Sequence, residues 1–182
     1  MLGGAVIIFI GGVHAVGKTY IAAPTAAKIG FRHATASELI RSERGAQTWS
    51  GDKRVSDVEE NQRALVRAVG AARARKESLL LDGHFALRGP AGQNTRIDVG
   101  VFRDMKLGGI IILNAPSELI LQRLRAREDQ SWTVGEIDKL ASEELEHSKL
   151  VARELEIPWH TLNSPVESEF LLSVRQVCER NG

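Results

Sequence analysis

Cysteine is almost absent from this chain, since Cys178 is the single one among 182 residues. One thiol cannot form a disulfide within the chain, which favours a reducing compartment. Long hydrophobic runs are lacking too, and the apolar stretch at 5–10 has no basic segment before it of the kind that opens a signal peptide. We therefore expect a cytoplasmic protein without membrane association.

The chain also lacks an excess of either charge. Its 24 Lys and Arg residues balance 23 Asp and Glu residues, which leaves a formal net charge of +1. This balance indicates neither a nucleic-acid-binding surface nor an acidic tail. With no internal repeat and no low-complexity linker, the whole of 1–182 is expected to form a single domain with a substantial core.

One glycine-rich stretch matches G-x-x-x-x-G-K-[ST], the phosphate-binding P-loop. It reads Gly12, Val13, His14, Ala15, Val16, Gly17, Lys18 and Thr19. The context agrees with the motif, because a short apolar run rich in β-branched residues precedes it and a helix-forming segment follows. We therefore predict that this loop binds ATP.

The chemistry of ATP binding explains the spacing of the motif. Glycine at 12 and 17 lets the backbone approach a phosphate closely, and the loop N–H groups then form an anion site at the helix N-terminus. Lys18 is expected to reach the β- and γ-phosphates, and the Thr19 hydroxyl is expected to bind Mg²⁺. The predicted cofactors are thus ATP and Mg²⁺.

Asp82 ends the apolar run 78–82, where a second Mg²⁺-linked carboxylate is needed. An aspartate that only caps the following turn is the alternative. Gly83 comes next, rather than the Glu that often activates water in ATP-hydrolysing machines, and this favours transfer to a bound acceptor over hydrolysis. His84 is the remaining candidate for orienting a water.

Two arginines, Arg123 and Arg127, are four residues apart and are predicted to share one helical face. Paired guanidinium groups suit the charge of a transferring phosphoryl group, so we assign both a catalytic role together with Lys18 and Asp82. The alternative is a solvated basic face, which is how we interpret the neighbouring Arg125.

The pattern of the whole chain indicates an α/β domain with a parallel sheet. Strands are predicted over 5–10, 31–35, 78–82, 108–113 and 157–162, with helices between them, capping boxes at 56–59, 133–136 and 164–167, and loops over 45–54 and 83–96. Pro24 lies inside the first helix, where we expect a kink or an irregular first turn. The P-loop, Asp82 and Asn163 all fall at carboxyl ends of strands, so they are expected to share one nucleotide-binding crevice.

The chain resembles the adenylate-kinase-like nucleotide kinases of the P-loop class, especially the short-lid forms. Besides the P-loop, three stretches carry the resemblance: Ser37-Glu38-Leu39-Ile40-Arg41, Leu81-Asp82-Gly83-His84 with Arg88, and Gln122-Arg123-Leu124-Arg125-Ala126-Arg127. The resemblance implies a P-loop NTPase fold with a five-stranded parallel sheet flanked by helices. It also implies an acceptor-binding insertion at about 37–75 and a short lid at about 128–135.

The same resemblance implies roles for particular residues. Arg41 and Arg88 would bind the acceptor phosphate, His84 would contact the substrate, and the two lid-proximal arginines would contact the transferring phosphates. The chain departs from the family pattern at Ala15, where many relatives have Gly, and at Arg88, which comes late and has no Pro before it.

These observations predict an ATP-dependent kinase whose partner is a small phosphate acceptor, most simply a nucleoside monophosphate. Two alternatives stay open at this point. One is a kinase of another metabolite hydroxyl or of an RNA end, and the other is an ATP-hydrolysing regulatory module. An oligomeric AAA-type motor is disfavoured, because no Glu follows Asp82 and no extra helical domain is present.

Overall fold

The structure is a computed structural model that describes residues 4–45, 55–89 and 92–181. Its strands are β1 (Ile7–Gly11), β2 (Arg32–Thr35), β3 (Leu79–Asp82), β4 (Ala86–Arg88), β5 (Asn94–Arg96), β6 (Gly109–Asn114) and β7 (Trp159–Asn163). Its helices are α1 (Lys18–Ile29), α2 (Ala36–Arg44), α3 (Val55–Ala74), α4 (Val99–Asp104), α5 (Ser117–Ala126), α6 (Val134–Leu155) and α7 (Glu167–Glu179).

Five strands form one parallel sheet in the order β2-β3-β1-β6-β7, with helices on both faces. This confirms the predicted P-loop NTPase fold. The register aligns Asp82 with Ile10 on one side and with Thr35 on the other. The strand that leads into the P-loop and the strand that ends in Asp82 are therefore neighbours, and their carboxyl ends meet at one edge.

The sheet separates two hydrophobic cores, because successive residues of a strand point to opposite faces. In β1, Ile8 and Ile10 face the core shared with α1, α5 and α7, whereas Ile7 and Phe9 face the core shared with α3 and α4. All four side chains are essentially inaccessible to solvent. Helix α6 is long enough to contribute to both cores.

Helix α1 runs through Pro24 without interruption and ends at Gly30, whose φ of 72° is the left-handed conformation that glycine favours. The predicted capping box at 133–136 is confirmed by reciprocal bonds between Thr133 and Glu136. A similar pair that we did not predict, Thr35 with Glu38, begins α2.

Two local predictions are wrong. Residues 83–96 are not simply a loop, because β4 and β5 pair there as an antiparallel hairpin. The proposed capping box at 164–167 does not form, since α7 begins at Glu167 and the Glu169 carboxylate accepts the N–H of Val166 instead. The predicted loop at 46–54 and the capping side chains at 56 and 57 lie outside the described residues.

Within the described ranges, no helix is both long and apolar enough to span a membrane.

Candidate active site

The P-loop occupies the turn between β1 and α1, and its backbone conformation requires glycine at two points. Gly12 has a φ of 131°, and a Cβ there would lie 2.5 Å from the Leu113 carbonyl oxygen. Gly17 has a φ of 112°. Ala15 also adopts a positive φ of 59°, which a Cβ makes less favourable. The loop is therefore held in the strained geometry that an anion site demands.

Lys18 lies inside this loop and is only 7% exposed. Its Nζ donates to the carbonyl oxygens of Gly12 at 2.7 Å and Val13 at 3.2 Å, and it lies 3.8 Å from Asp82 Oδ1. Burial lowers the pKa of Lys18, and the neighbouring Asp82 and Glu144 carboxylates oppose that shift. The Lys18 amine is thus held at the base of the loop, as the motif predicts.

Asp82 and Thr19 meet beside this lysine. The Thr19 hydroxyl donates to Asp82 Oδ2 at 2.7 Å, so the Asp82 side chain does not serve merely as a turn cap. Oxygen donors of this kind suit Mg²⁺. The ion usually keeps several waters and is bound by one or two protein groups together with the phosphates of the substrate. Thr19 and Asp82 are the residues that would hold the ion, and a bound ion would neutralise charge on the phosphates.

No group of three or more His, Cys, Asp or Glu side chains forms a metal site in the part of the chain that the structure describes. A site built from Thr19 and Asp82 would therefore depend on phosphate oxygens to complete the coordination.

A cleft of about 320 Å³ opens above these side chains. Its lining joins the P-loop, the start of α1, the beginning of α2 and the segment after β3. The lining residues are His14, Ala15, Val16, Gly17, Lys18, Thr19, Tyr20, Thr35, Ala36, Ser37, Asp82, Gly83, His84 and Arg127. The structure thus brings together most of the P-loop with Asp82, His84 and Arg127, as the sequence predicts.

Three rings cluster at one wall of the cleft. The His14 and His84 rings are 4.3 Å apart between centroids, and the Trp132 ring lies 5.9 Å from His14. The pKa of His14 falls to about 4, first because surrounding protein atoms desolvate the imidazole, although His14 is an exposed residue by its accessible surface, and then because His84 and Lys18 are nearby. His14 is therefore neutral at pH 7.

The two lid-proximal arginines differ in position. Arg127 lines the cleft and lies just beyond the last helical residue of α5. Arg123 points to the back of the P-loop, where its Nη1 donates to the carbonyl oxygens of Ala15 at 3.2 Å and Val16 at 3.0 Å. The two residues are close in space, but in this structure only Arg127 reaches the cleft.

Five other predicted site residues lie outside the cleft lining: Gly12 and Val13 of the P-loop, Arg88, Arg41 and Asn163. Arg88 donates to the Ser131 carbonyl oxygen at 2.6 Å and to Glu136 at 2.7 Å, and its guanidinium stacks 4.1 Å from the Trp132 ring. Arg41 is exposed in the last turn of α2, and Asn163 ends the edge strand β7. Their roles in binding acceptor or nucleotide stay predictions.

The sequence analysis missed two residues of this region. Tyr20 is 89% exposed and lines the cleft beside Thr19. Glu144 is 1% exposed and accepts the backbone N–H of Gly12 from within α6. A signal for Glu144 was present, because it falls on the helical stripe of Ile137, Leu140 and Val151, where an apolar residue is expected.

A protein-family model described as an AAA domain matches residues 11–141. The chain belongs to this AAA domain family. The matched part of the AAA domain begins at the end of β1 and extends into α6, so it contains the whole cleft. No curated protein matches the chain.

Solved structures of kinases share the fold along nearly the whole chain. A gluconokinase from Sinorhizobium meliloti 1021 is 14% identical, with coverage of 98% of this chain and 93% of that one and a TM-score of 0.57. A shikimate kinase from Acinetobacter baumannii in complex with shikimate is 18% identical, with coverage of 97% and 94% and a TM-score of 0.61.

The YorR protein from Bacillus subtilis, in complex with phosphorylated GDP, is 15% identical. Coverage is 96% of each chain, and the TM-score is 0.57. At these identities, the likeness to all three structures establishes the fold alone. The AAA domain of this protein therefore has the fold of P-loop kinases.

Proposed function

We propose that the protein is an ATP-dependent phosphotransferase that moves the γ-phosphoryl group of ATP to a nucleoside monophosphate. One observation carries the proposal: a buried lysine, a hydroxyl and a carboxylate converge at the P-loop. Lys18 lies 3.8 Å from Asp82, and Thr19 donates to the same carboxylate at 2.7 Å. These are the groups that phosphoryl transfer requires for the phosphates and for Mg²⁺. Membership in the AAA domain family and the kinase fold support this assignment.

The packing around Gly83 favours transfer over hydrolysis. A Cβ at Gly83 would lie 2.4 Å from Phe9 Cζ, and Phe9 is fully buried with its ring edge-on to the stacked rings of Phe85 and Phe102. A glutamate at this position, which could activate water, would therefore displace core aromatics. The site therefore has the groups that bind phosphates but has no glutamate after Asp82 to activate a water.

The acceptor would enter from the side of the cleft formed by the start of α2. Thr35 and Ser37 contribute hydroxyl groups there, and Tyr20 adds an exposed aromatic ring to the cleft lining. Such a ring can stack on a base, and the hydroxyls can bind a sugar or a phosphate. Arg41, farther along α2, is the group proposed to bind the acceptor phosphate.

A second candidate is a kinase of a metabolite hydroxyl, and His84 is the observation that favours it. A hydroxyl acceptor must lose a proton, whereas an ionised phosphate need not. His84 lines the cleft and turns its Nδ1 toward Glu144 at 3.3 Å, which leaves its Nε2 edge as a proton acceptor. The gluconokinase and shikimate kinase of similar fold are named for substrates of this class.

An acceptor panel separates these functions. The protein would be incubated with ATP, Mg²⁺ and each nucleoside monophosphate in turn, then with gluconate and shikimate, and the phosphorylated products identified by mass spectrometry. We expect nucleoside diphosphate formation, and no product from the Lys18→Ala variant. A phosphorylated hydroxyl metabolite, with no nucleoside diphosphate, would support the second candidate.

The same assay includes a reaction without acceptor. ADP formation at an equal rate with and without any acceptor would contradict both kinase functions and support an ATP-hydrolysing regulatory module.

A further inference from the structure

Glu144 is a buried carboxylate at the centre of the fold, directly behind the P-loop. It projects from α6 and is 1% exposed. Its Oε2 accepts the N–H of Gly12 at 3.0 Å, and its Oε1 accepts the N–H groups of Phe85 at 2.9 Å and Ala86 at 3.2 Å. The His84 Nδ1 lies 3.3 Å from the same Oε1. The Glu144 carboxylate thus accepts from all four groups.

This arrangement keeps the carboxylate ionised in the interior. Burial alone would raise the pKa of Glu144, but its contacts with His84, the bond from the Ala86 N–H and the nearby Lys18 together hold that pKa below the usual value. A buried charge is costly unless its lone pairs are satisfied, and here the donors surround it. An apolar side chain at this position would stabilise the fold as well, as Leu140 does one turn earlier on the same stripe. Stability alone therefore does not explain the carboxylate.

The four donors belong to two chain segments that carry the chemistry of the cleft. Gly12 opens the P-loop, which continues to Lys18 and Thr19. Phe85 and Ala86 follow Asp82 and His84 in the segment after β3. Glu144 is the side chain that bonds to both segments, one through each carboxylate oxygen. Together with the β1–β3 pairing, in which the Gly83 N–H donates to the Ile10 carbonyl oxygen, these bonds hold the P-loop beside Asp82.

We propose that Glu144 is a positioning residue, which fixes the P-loop and the segment after Asp82 as one unit and orients His84 in the cleft. The catalytic part of this inference rests on the proposed function. The expected effect of Glu144 on ATP binding does not depend on any acceptor. If the two segments separate, the phosphate-binding N–H groups and the Mg²⁺-binding oxygens no longer converge. Both ATP affinity and kcat should then fall.

The test is Glu144→Gln, compared with Ser148→Ala on the same helix. Glutamine keeps the volume, but its amide N–H₂ faces either the Gly12 N–H or those of Phe85 and Ala86, so at least one bond is lost. We expect affinity for a non-hydrolysable ATP analogue with Mg²⁺ to fall by about 10-fold or more, because an unsatisfied buried N–H has a cost equivalent to that factor and would draw the P-loop away from its binding conformation. Calorimetry would measure it.

Ser148 is a matched control, because it is fully buried and hydrogen-bonded, yet its bonds go to neither the P-loop nor the segment after β3. Its Oγ donates to the Leu145 carbonyl oxygen at 2.8 Å and accepts from Trp159 Nε1 at 2.9 Å. Ser148→Ala should lower the unfolding temperature and leave ATP-analogue affinity unchanged. Equal affinity in Glu144→Gln and in wild type, at matched folded concentration, would overturn the proposal.

A measurement on the wild-type protein covers the case in which Glu144→Gln does not fold. In amide hydrogen exchange followed by NMR, Gly12 should be protected to the same degree as Phe85 and Ala86, because one carboxylate binds all three. Rapid exchange at Gly12 alone would show that Glu144 does not hold the P-loop. Failure to find any acceptor would contradict the proposed function but leave these two readouts intact.

Discussion

Two basic side chains beside the P-loop are held by hydrogen bonds to its backbone rather than left in solvent. Lys18 is bonded to two carbonyl oxygens of its own loop, and Arg123 is bonded to two more on the outside of the same loop. The carbonyl oxygens of Gly12, Val13, Ala15 and Val16 are thereby paired with cationic side chains. A single substitution at Lys18 or Arg123 should therefore alter both the binding of phosphates and the conformation of the loop.

Lys18→Ala should abolish phosphoryl transfer, because no other described loop residue supplies an ammonium to the β- and γ-phosphates. The sequence alone suggests little change in stability. The structure changes that expectation, since two charge-assisted bonds are lost, and unfolding free energy should fall by about 1–3 kcal/mol. Denaturant unfolding measures the second effect. Turnover near the wild-type rate would contradict the site assignment.

Arg127→Ala and Arg123→Ala should have different effects, because only Arg127 lines the cleft. Loss of Arg127 should lower kcat by roughly 10³-fold or more if it stabilises the transferring group. Loss of Arg123 should mainly weaken ATP binding by loosening the loop. Steady-state kinetics at varied ATP separate the two, with Arg125→Ala as the control. If kcat stays within a few-fold of wild type in Arg127→Ala, a solvated basic residue is the correct interpretation.

His14 should make stability depend on pH. Its pKa is about 4 in the folded protein against an ordinary 6.5, so between these values the unfolded chain binds more protons. Stability should therefore fall as pH drops from 6.5 to 4, and His14→Gln should remove part of that dependence. Chemical denaturation of both proteins at several pH values gives the difference. Parallel curves over this window would contradict a depressed His14 pKa.

At the level of elements, the strands and helices with clear signals were predictable and the short pairings were not. The apolar run before the P-loop and the Thr133–Glu136 capping box both form as predicted. The β4–β5 hairpin was missed, because its strands have three residues each and Gly89 and Gly92 suggest a loop. Its pairing depends on contacts such as Ile97 N–H to the Phe85 carbonyl oxygen, which no local pattern shows.

Helix α2 provides the element-scale test of the acceptor site, because it begins at the cleft and carries Arg41 in its last turn. Arg41→Ala should raise the acceptor KM and lower kcat/KM for the acceptor by roughly 10- to 150-fold, the value of one or more charge-assisted bonds. Affinity for ATP without acceptor should stay within a few-fold of wild type.

The control for Arg41 is Arg32→Ala, at the opposite end of β2 from the cleft, where Arg32 pairs with Glu77 at 3.4 Å. It should leave both substrates unaffected. Weakened ATP binding with an unchanged acceptor KM in Arg41→Ala would place Arg41 on the nucleotide side of the cleft.

For the whole molecule, alternation of strands and helices was sufficient to predict a parallel sheet with the P-loop and Asp82 at one edge. It could not show which distant residue joins them. Glu144 is 132 residues away from Gly12 in the chain and reaches it only because α6 packs behind the sheet edge. A polar residue on an apolar helical stripe indicates that it has a buried hydrogen-bond partner. The sequence does not identify that partner, because it depends on how the helices and strands pack.

Because ATP bound in the cleft favours the native state over the unfolded chain, it should stabilise the whole fold. A ligand that binds only the native state at 100 times its Kd adds about 2.7 kcal/mol. For a chain of 182 residues this corresponds to a rise in Tm of roughly 5–11 °C, at about 2–4 °C per kcal/mol. Differential scanning fluorimetry with ATP and Mg²⁺ measures the shift. The shift should decrease when Mg²⁺ is chelated, because Thr19 and Asp82 then lose the ion. It should vanish in Lys18→Ala, because the loop then loses the amine that binds the phosphates. An equal shift in wild type and Lys18→Ala would show that ATP binds elsewhere on the molecule.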